Sequence, residues 1–272
     1  MTPVSLGDAL DESRYGGKAS QLGEAVRAGL PVPSGFACSW ELVAAIVERA
    51  TEATAAVERA CAANDGPVAV RSSAVGEDSD DASFAGQHIT VINVRSVDGV
   101  LEAIRAVHAS ATTEAALAYR SRVGVAAVAR MGVIVQQLVD PVCAGVMFTR
   151  DPMSGADVRV IEASWGLGEA VVAGLVSPDL YRVDRAGELI DQVIGEKDVA
   201  VRASPAGGTV ELAVEADLVS APCLDTGQLR QLNDLAAACE RAFEGVHDIE
   251  WAIAQAGLFL LQRRPVTRLA QR

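Results

Sequence analysis

Two neighbouring segments near the C-terminal end carry polar side chains at alternate positions between apolar ones, and this pattern constrains the fold more than any other feature. The segments are Asp248-Ile249-Glu250-Trp251 and Leu261-Gln262-Arg263-Arg264. Residues two apart on a strand point to the same face of a sheet, whereas neighbours point to opposite faces. The sequence therefore predicts a β-hairpin in which one face is polar and the other packs against a core.

The predicted turn of this hairpin is Gln255-Ala256-Gly257, because a three-residue loop favours a glycine in the left-handed conformation. With this turn, Glu250 lies opposite Gln262 and Asp248 lies opposite Arg264. The reverse face is then an apolar layer with one charged exception, consisting of Ile249, Trp251, Ile253, Phe259, Leu261 and the exception, Arg263.

The polar face has two possible interpretations. A carboxylate beside a side-chain amide oxygen offers the hard oxygen ligands that Mg²⁺ takes, with phosphates and waters completing the shell. Arg264 would then pair with Asp248 or reach a phosphate. The alternative is the solvated outer face of an edge hairpin, where cross-strand charge pairs are common and contribute less than about 1 kcal/mol. The two segments alone leave both interpretations open.

Length and composition exclude several classes of protein. A chain of 272 residues can form one large or two small domains. It has neither an apolar run near the roughly 18 residues of a membrane span nor a signal peptide, so we expect a soluble, cytoplasmic protein with no membrane partner. The net charge of −13 argues against nucleic-acid binding. The five cysteines and three histidines lack the spacing of a disulfide framework or a zinc site.

The N-terminal region contains a helix whose first turn holds a lysine. Gly16-Gly17-Lys18 begins the helix, and Gly29 followed by Pro31 ends it. A lysine in the first turn opposes the helix dipole, so its placement favours an anion bound there. An exposed lysine tolerated at small cost is the alternative.

Periodicity predicts a mixed α/β (α+β) chain. Residues 41–63 are interpreted as one helix, and Val68-Ala69-Val70 as a strand that ends in Arg71-Ser72-Ser73. The acidic, small-residue segment from there to Gly86 is predicted to be an exposed loop able to fold over a ligand. Further strands are predicted at 89–94, 132–139, 144–149, 159–163, 181–183 and 189–194, and further helices at 97–107, 114–122 and 229–243.

Taken together, several segments resemble the nucleotide-binding domain shared by phosphoenolpyruvate synthase, pyruvate phosphate dikinase and rifampicin phosphotransferase. The segments are G-G-K-A-S-Q-L-G-E-A from Gly16, V-A-V-R-S-S-A from Val68, S-F-A-G-Q from Ser83, V-Q-Q-L-V around Gln136, A-G-V-M-F-T-R-D-P from Ala144, W-G-L-G-E-A-V-V-A-G-L-V-S-P-D from Trp165, D-I-E-W and L-Q-R-R-P. The resemblance implies an ATP-grasp fold, in which two lobes hold ATP in a cleft between their sheets. The implied lobes are residues 1–138 and, with the metal-binding hairpin, 139–272.

The resemblance also implies roles for individual residues. Lys18 and Arg71 would contact the ATP phosphates, and a phosphate-covering loop at 83–90 would contribute contacts from Gly86, Gln87 and Thr90. The adenine would be met by Gln136, Gln137, Leu138 and Val139. Glu250 and Gln262 would hold Mg²⁺, Arg264 would steady the transferred phosphoryl group, and Asp248 would orient this set.

The implied activity is that of a dikinase-type, ATP-dependent phosphotransferase, in which catalysis rests on positioning and charge neutralisation. Relatives pass a phosphoryl group to a histidine in a T-x-G-G-x-x-S-H loop of a swivelling domain, yielding AMP and phosphate. His88, His108 and His247 do not stand in that setting. We therefore expect a separate phosphohistidine carrier protein or further downstream domains, with a small molecule as final acceptor, and the chain as a stand-alone subunit or an excised domain.

Two other functions remain open at this point. The chain could be a direct small-molecule kinase that releases ADP, or a regulatory protein that binds a nucleotide without turnover. The carboxylate-amine ligases that share the ATP-grasp fold fit less well, because the quoted segments are specific to the dikinase type.

Overall fold

The computed structural model describes residues 1–64, 66–76, 89–111 and 130–266. The chain divides into two compact units. Unit 1 consists of Met1–Arg27, Pro33–Leu138 and Pro205–Gly208, and unit 2 of Ala28–Val32, Val139–Ser204 and Thr209–Arg272. Two predicted elements, the loop reaching Gly86 and the helix at 114–122, lie outside the described residues.

Unit 1 is built on an antiparallel sheet with the strand order β1-β2-β5-β3-β4 among the described strands. The strands are β1 (Val4–Ser5), β2 (Gly35–Cys38), β3 (Val68–Ala74), β4 (Thr90–Val94) and β5 (Met131–Gln137). The helices are a 3₁₀ turn (Leu6–Asp8), α1 (Glu12–Tyr15), α2 (Gly17–Arg27), α3 (Trp40–Val47), α4 (Thr51–Cys61) and α5 (Val97–Ser110).

The apolar faces of α3 and α5 form the core of unit 1 with strands β3 and β5. Each helix begins at a serine whose hydroxyl accepts a hydrogen bond from a backbone N–H, Ser39 from Leu42 at 3.3 Å and Ser96 from Gly99 at 3.1 Å. Such caps satisfy donors that the first helical turn leaves open. The caps therefore fix where both helices start against the sheet.

The prediction of one helix over residues 41–63 is wrong, because the chain breaks it into α3 and α4. Arg49 adopts a left-handed conformation with φ of 60°, which is uncommon for a residue other than glycine. The Arg49 N–H donates to Ile46 O at 3.1 Å and the Ala50 N–H to Ala45 O at 2.9 Å. This pair of bonds is a Schellman termination, and no glycine marks it in the sequence.

Unit 2 contains an antiparallel sheet whose described strands follow the order β13-β12-β6-β7-β8-β9. The strands are β6 (Cys143–Phe148), β7 (Arg159–Trp165), β8 (Asp179–Val183), β9 (Leu189–Val193), β12 (His247–Ala254) and β13 (Gly257–Pro265). A ribbon of β10 (Val199–Ala203) and β11 (Thr209–Ala213) and the helices α6 (Glu169–Val172) and α7 (Thr226–Ala242) complete the described elements. The β10–β11 ribbon was not predicted.

Helix α7 starts with a capping box and packs its apolar side against β12. The Asp225 carboxylate accepts from the Gln228 N–H at 2.8 Å, and the Gln228 side chain accepts from the Asp225 N–H at 2.8 Å. These reciprocal bonds satisfy two donors at the helix start. The helix predicted at 229–243 is thus confirmed, three residues longer at its start.

The C-terminal hairpin has the predicted pairs but a different turn. Asp248 faces Arg264 and Glu250 faces Gln262, as expected. Ala254 pairs with Gly257, so the turn has two residues and not three. A β-bulge next to Glu250 leaves Leu261 as an extra residue, and this extra residue restores the predicted register.

Because of the bulge, the predicted apolar layer of the hairpin is partly wrong. Trp251 pairs with Leu260, which is 0% exposed, and Leu261 is only partly buried. Phe259 pairs with Ala252 and is therefore on the face opposite to the one predicted. Ile249, Trp251 and Ile253 are buried as predicted.

The predicted α/β (α+β) class with two sheet bodies is confirmed. Within the described part of the chain, no helix combines the length and the hydropathy needed to cross a membrane. All five cysteines are free thiols.

Candidate functional site

The register of unit 2 arranges polar side chains in two rows across one face of its larger sheet. In the first row Gln262 faces Glu250, Glu250 faces Val146, Val146 faces Glu162 and Glu162 faces Leu180. Directly opposed residues on antiparallel strands point to the same side of a sheet. The carboxylate of Glu162 therefore lies on the same face as the predicted metal ligands.

The second row lies two residues along each strand and so points to the same face. It runs through Arg264, Asp248, Phe148, Val160 and Arg182. We refer to the side of the sheet that carries these two rows as the site face. Acidic, amide and basic side chains thus lie side by side there, at the positions where β12 and β13 meet.

Asp248 and Arg264 form an ion pair on the site face. The distance from Arg264 Nη2 to Asp248 Oδ2 is 3.0 Å. The other carboxylate oxygen of Asp248 is buried and has no hydrogen-bond partner in the described part of the chain. A buried acceptor without a donor is costly, so Oδ1 is a place where a ligand or its hydration water would be stabilised.

Burial raises the pKa of Asp248, and the negative charges of Glu250 and Glu162 raise it further. The charge of Arg264 and its hydrogen bond act in the opposite direction, and the net pKa stays above the ordinary value of an aspartate. A bound cation would stabilise the ionised form of Asp248.

The residues on the site face fit a magnesium ion. Glu250 and Gln262 face each other and offer a carboxylate and an amide oxygen, the hard ligands that Mg²⁺ takes. Among the described residues there is no cluster of three or more histidine, cysteine, aspartate or glutamate side chains able to hold a metal. A cation held by Glu250 and Gln262 would thus need phosphate and water oxygens as its other ligands, as Mg²⁺ usually does.

Sequence reasoning missed Glu162 and Arg182. Glu162 sits within R-V-I-E-A-S-W, where its neighbours on both sides are apolar, but its alignment with Glu250 depends on strands far apart in sequence. Arg182 Nη1 lies 3.5 Å from Asp191 Oδ2, and Arg182 Nε lies 3.9 Å from Asp151 Oδ2. Alternation within each segment predicts which of its residues share a face of the sheet, but it does not predict the order of the strands.

In unit 1, the start of α2 is attached to the strand that carries Arg71. The Ala19 N–H donates to the Ser73 hydroxyl at 2.9 Å. Gly16 has a φ of 84°, and a Cβ there would overlap the carbonyl oxygen of Ser73. Arg71 and Ser73 are two apart on β3 and share a face, so the helical turn with Lys18 and the side chain of Arg71 lie on the same side of the sheet.

Thr90 and Gln136 also lie close to Arg71 in unit 1. Thr90 pairs with Arg71 across β3 and β4 and is exposed. Gln136 is 3% exposed, its Oε1 lies 3.5 Å from Arg71 Nη1, and its Nε2 donates to Pro33 O at 3.2 Å. The structure therefore brings Thr90 and Gln136 next to Arg71, as predicted, while Gly86 and Gln87 lie outside the described residues.

The backbone of the segment predicted to meet adenine is partly engaged within unit 1. The Gln137 N–H donates to Ser34 O at 2.8 Å, and the Leu138 N–H donates to Pro67 O at 2.9 Å. The Gln137 side chain accepts from the Ser34 hydroxyl at 3.0 Å. A base bound here would have to use other groups of this segment, such as its carbonyl oxygens.

Comparison with known proteins shows the class to which this chain belongs. The family described as pyruvate phosphate dikinase, AMP/ATP-binding domain, matches residues 39–272. The chain belongs to this family, and the resemblance to a nucleotide-binding domain that was identified from the sequence is confirmed.

Three relatives show how widely this domain is used. The chain is 42% identical over 203 residues to a rifampicin phosphotransferase of Streptomyces sviceus, covering 74% of this chain and 23% of the relative. It is 33% identical over 309 residues to a probable phosphoenolpyruvate synthase of Methanothermobacter thermautotrophicus, covering 94% and 44%. It is 36% identical over 299 residues to the prodigiosin synthesizing transferase PigC of Serratia marcescens, covering 100% and 33%. The chain thus spans less than half of each of these relatives.

A solved structure is similar over most of its own length. It is a dinucleotide-forming acetyl-coenzyme A synthetase 1 of Ca. Korarchaeum cryptofilum, with a TM-score of 0.46 and 14% sequence identity, and the match covers 91% of this chain and 90% of that one.

Proposed function

We propose that this chain binds Mg-ATP and passes a phosphoryl group from it to a histidine on a separate carrier domain or protein. AMP and phosphate would be the eventual products, and a small molecule the final acceptor. Membership of the AMP/ATP-binding domain family supports ATP as the bound nucleotide. Relatives named as phosphotransferase and phosphoenolpyruvate synthase support phosphoryl transfer as the reaction. The observation that carries the proposal is the site face, where Glu250 faces Gln262 beside the Asp248–Arg264 pair.

The proposed chemistry assigns each side chain a task that its charge permits. Glu250 and Gln262 would hold Mg²⁺, which supplies positive charge to the phosphate oxygens when bound. Arg264 lies beside these ligands and would stabilise charge on the transferred group, while Asp248 fixes its guanidinium. Phosphoryl transfer needs mainly positioning and neutralisation of charge, so the domain requires no nucleophile of its own.

We extend the proposal to the residues of unit 1. Lys18 and Arg71 would neutralise phosphate charge, Thr90 would contact a phosphate, and residues 136–139 would meet the adenine. Residues 1–138 and 139–272 would then be the two lobes that act on one nucleotide. The grouping of Thr90 and Gln136 around Arg71 supports this assignment.

The proposal can be tested in two stages. Titration calorimetry should show ATP binding that strengthens when Mg²⁺ is added, and binding without any metal dependence would contradict the assignment of Glu250 and Gln262. The chain is then incubated with ATP labelled at the β-phosphate and with candidate carrier proteins. We expect AMP and an acid-labile, base-stable label on a carrier histidine.

Other products would point to other functions. ADP and a phosphorylated small molecule, formed by the chain alone, would show a direct kinase. Tight Mg-ATP binding without turnover in the presence of every histidine-bearing partner would indicate a regulatory nucleotide-binding protein. One ATP bound per chain, and slower transfer in both Arg71→Ala and Glu250→Ala, are expected if both groups act on one nucleotide, and two ATP sites per chain would contradict this.

A further inference from the structure

Arg263 is a buried arginine on the strand that carries two of the proposed site residues. It lies between Gln262 and Arg264 but points to the reverse face of the sheet, where it is 7% exposed. Its cross-strand partner Ile249 is fully buried. Burying a guanidinium costs free energy that an aliphatic side chain would not cost, and the proposed nucleotide chemistry makes no use of this group.

The environment of Arg263 is specific. Its guanidinium carbon lies 3.8 Å from the centroid of the Phe243 ring, which is the geometry of a close cation–π contact. Its Nη1 lies 3.5 Å from His247 Nδ1. Phe243 is the C-cap of α7, and His247 is the first residue of β12. Arg263, near the end of β13, thus connects this strand to the end of α7 and to the start of β12.

The pKa of His247 is lowered, which favours the neutral ring that this contact requires. Burial lowers the pKa of His247, and the positive charge of Arg263 lowers it further, although Phe243 O and Glu240 act in the opposite direction. The neutral ring can donate from Nε2 to Phe243 O, 3.4 Å away, and accept from Arg263 at Nδ1. The His247 N–H donates to the Thr149 hydroxyl at 2.9 Å, so the histidine is itself fixed to the sheet.

Arg263 lies between two site residues of the hairpin, shortly after its β-bulge. The β-bulge whose extra residue is Leu261 comes immediately before Gln262, so the register shifts just where the strand presents the site residues. Side chains alternate between faces, and a residue fixed on the reverse face determines how its two neighbours project from the other face. We propose that Arg263 is a positioning residue, which holds Gln262 and Arg264 in register with Glu250 and Asp248 through its contacts with Phe243 and His247.

This inference rests on the proposed function, because it gives Gln262 and Arg264 their roles at Mg-ATP. It makes a distinct claim, that metal-dependent binding depends on a side chain that touches neither metal nor nucleotide. Outer residues that orient metal ligands typically contribute about 10-fold to 100-fold in metal affinity. A residue important only for folding would change stability and leave the metal dependence of binding as it was.

The test compares ATP binding with and without Mg²⁺ in the full chain and its variants by titration calorimetry. Arg263→Met keeps the length and apolar volume of the side chain. We expect it to weaken Mg-ATP binding about 10-fold, the lower end of the range for such outer residues. Metal-free ATP should bind with less than about threefold change. Arg263→Lys retains the charge against the Phe243 ring and should recover part of the loss.

Arg159 provides a matched control in the same unit. It is 1% exposed, donates to Thr149 O at 2.7 Å, and binds both oxygens of Glu240 on α7 at 2.7 and 2.8 Å. Arg159→Met should lower the melting temperature at least as much as Arg263→Met does. It should leave the ratio of Mg-ATP to metal-free ATP affinity unchanged, because Arg159 is not on a strand that carries a metal ligand.

Two results would overturn the inference: an unchanged affinity ratio in Arg263→Met, or an equal change of that ratio in Arg159→Met. If Arg263→Met does not fold, Phe243→Leu removes the ring face and keeps an apolar contact. It should shift the ratio in the same direction by a smaller factor, and no shift would contradict the inference. Failure of the wild-type chain to bind Mg-ATP at all would instead contradict the proposed function.

Discussion

The two units organise their candidate residues in different ways. In unit 2, strand register places Glu250, Gln262 and Glu162 in one row of the sheet. In unit 1, the group around Arg71 depends on a helix start attached to Ser73 and on Gln136, which accepts a hydrogen bond from Arg71 and donates one to Pro33 O. The first arrangement follows mainly from pairing along strands, and the second from contacts between separate elements. Three predictions test this difference.

The largest expected effect is on the chemical step. Arg71→Ala and Glu250→Ala should each slow single-turnover phosphoryl transfer about 100-fold to 1000-fold, the loss typical of removing one group that stabilises transition-state charge. A substitution at Gln137 should mostly weaken nucleotide binding. An unchanged single-turnover rate in Arg71→Ala would contradict the proposed role of this unit 1 residue in the chemical step.

The next effect concerns the attachment of α2 in unit 1. Gly16→Ala should lower the free energy of unfolding by about 3 kcal/mol or more and weaken ATP binding, because the new Cβ overlaps the carbonyl of Ser73 in a left-handed conformation. Denaturant unfolding and calorimetry would measure the two losses.

Gly29 supplies the control for this substitution. It has a φ of 74° and nothing within 4 Å of an added Cβ. Gly29→Ala should therefore lower the free energy of unfolding by only about 1 kcal/mol. Equal losses in the two alanine variants would mean that backbone conformation, and not the contact with Ser73, determines the effect.

The third prediction concerns pH in unit 2. The pKa of Asp248 is raised, so this carboxyl takes up a proton at a higher pH than an ordinary aspartate. Since the bound cation favours the ionised form, Mg-ATP affinity should fall as the pH falls through the raised pKa, by up to about tenfold per pH unit below it. Calorimetry from neutral to mildly acidic pH would measure this, and Asp248→Asn should remove the dependence.

Glu162→Gln sharpens the same measurement. Its negative charge contributes to the raised pKa of Asp248, so its removal should move the loss of affinity to lower pH. The change in affinity at neutral pH should be small, less than about threefold, as expected for a charge that is neither buried nor paired with the ligand. An unmoved profile would show that Glu162 shares a row with the site but has no influence on it.

The sequence predicted the parts of the site that depend on local alternation. Asp248 and Glu250 were paired correctly with Arg264 and Gln262, even though the predicted turn was wrong, because the bulge at Leu261 offsets the shorter turn. Glu162 was missed because its alignment depends on the order of three strands, which no local pattern determines. The roles of the individual site residues stay predictions.

Other differences have equally specific causes. The break between α3 and α4 was missed because Arg49 adopts a conformation that usually calls for glycine. The β10–β11 ribbon was overlooked although V-A-V-R-A and T-V-E-L-A alternate around Gly207 and Gly208, both of which have positive φ. That pattern was sufficient to predict a hairpin.

The bulge determines how this hairpin can change in length. Removing Leu261 alone would leave Trp251 opposite Leu260 and Glu250 opposite Gln262, so the strands would pair without interruption and every side chain would keep its face. The loss of any one residue between the turn and Gln262 has the same effect on the site pairs, because Leu261 can take the vacant place in the ladder. The loss of Arg263 has no such compensation, because Arg264 would then lie opposite Ile249 and no longer opposite Asp248. The hairpin can therefore shorten by one residue before Gln262 and still keep both site pairs.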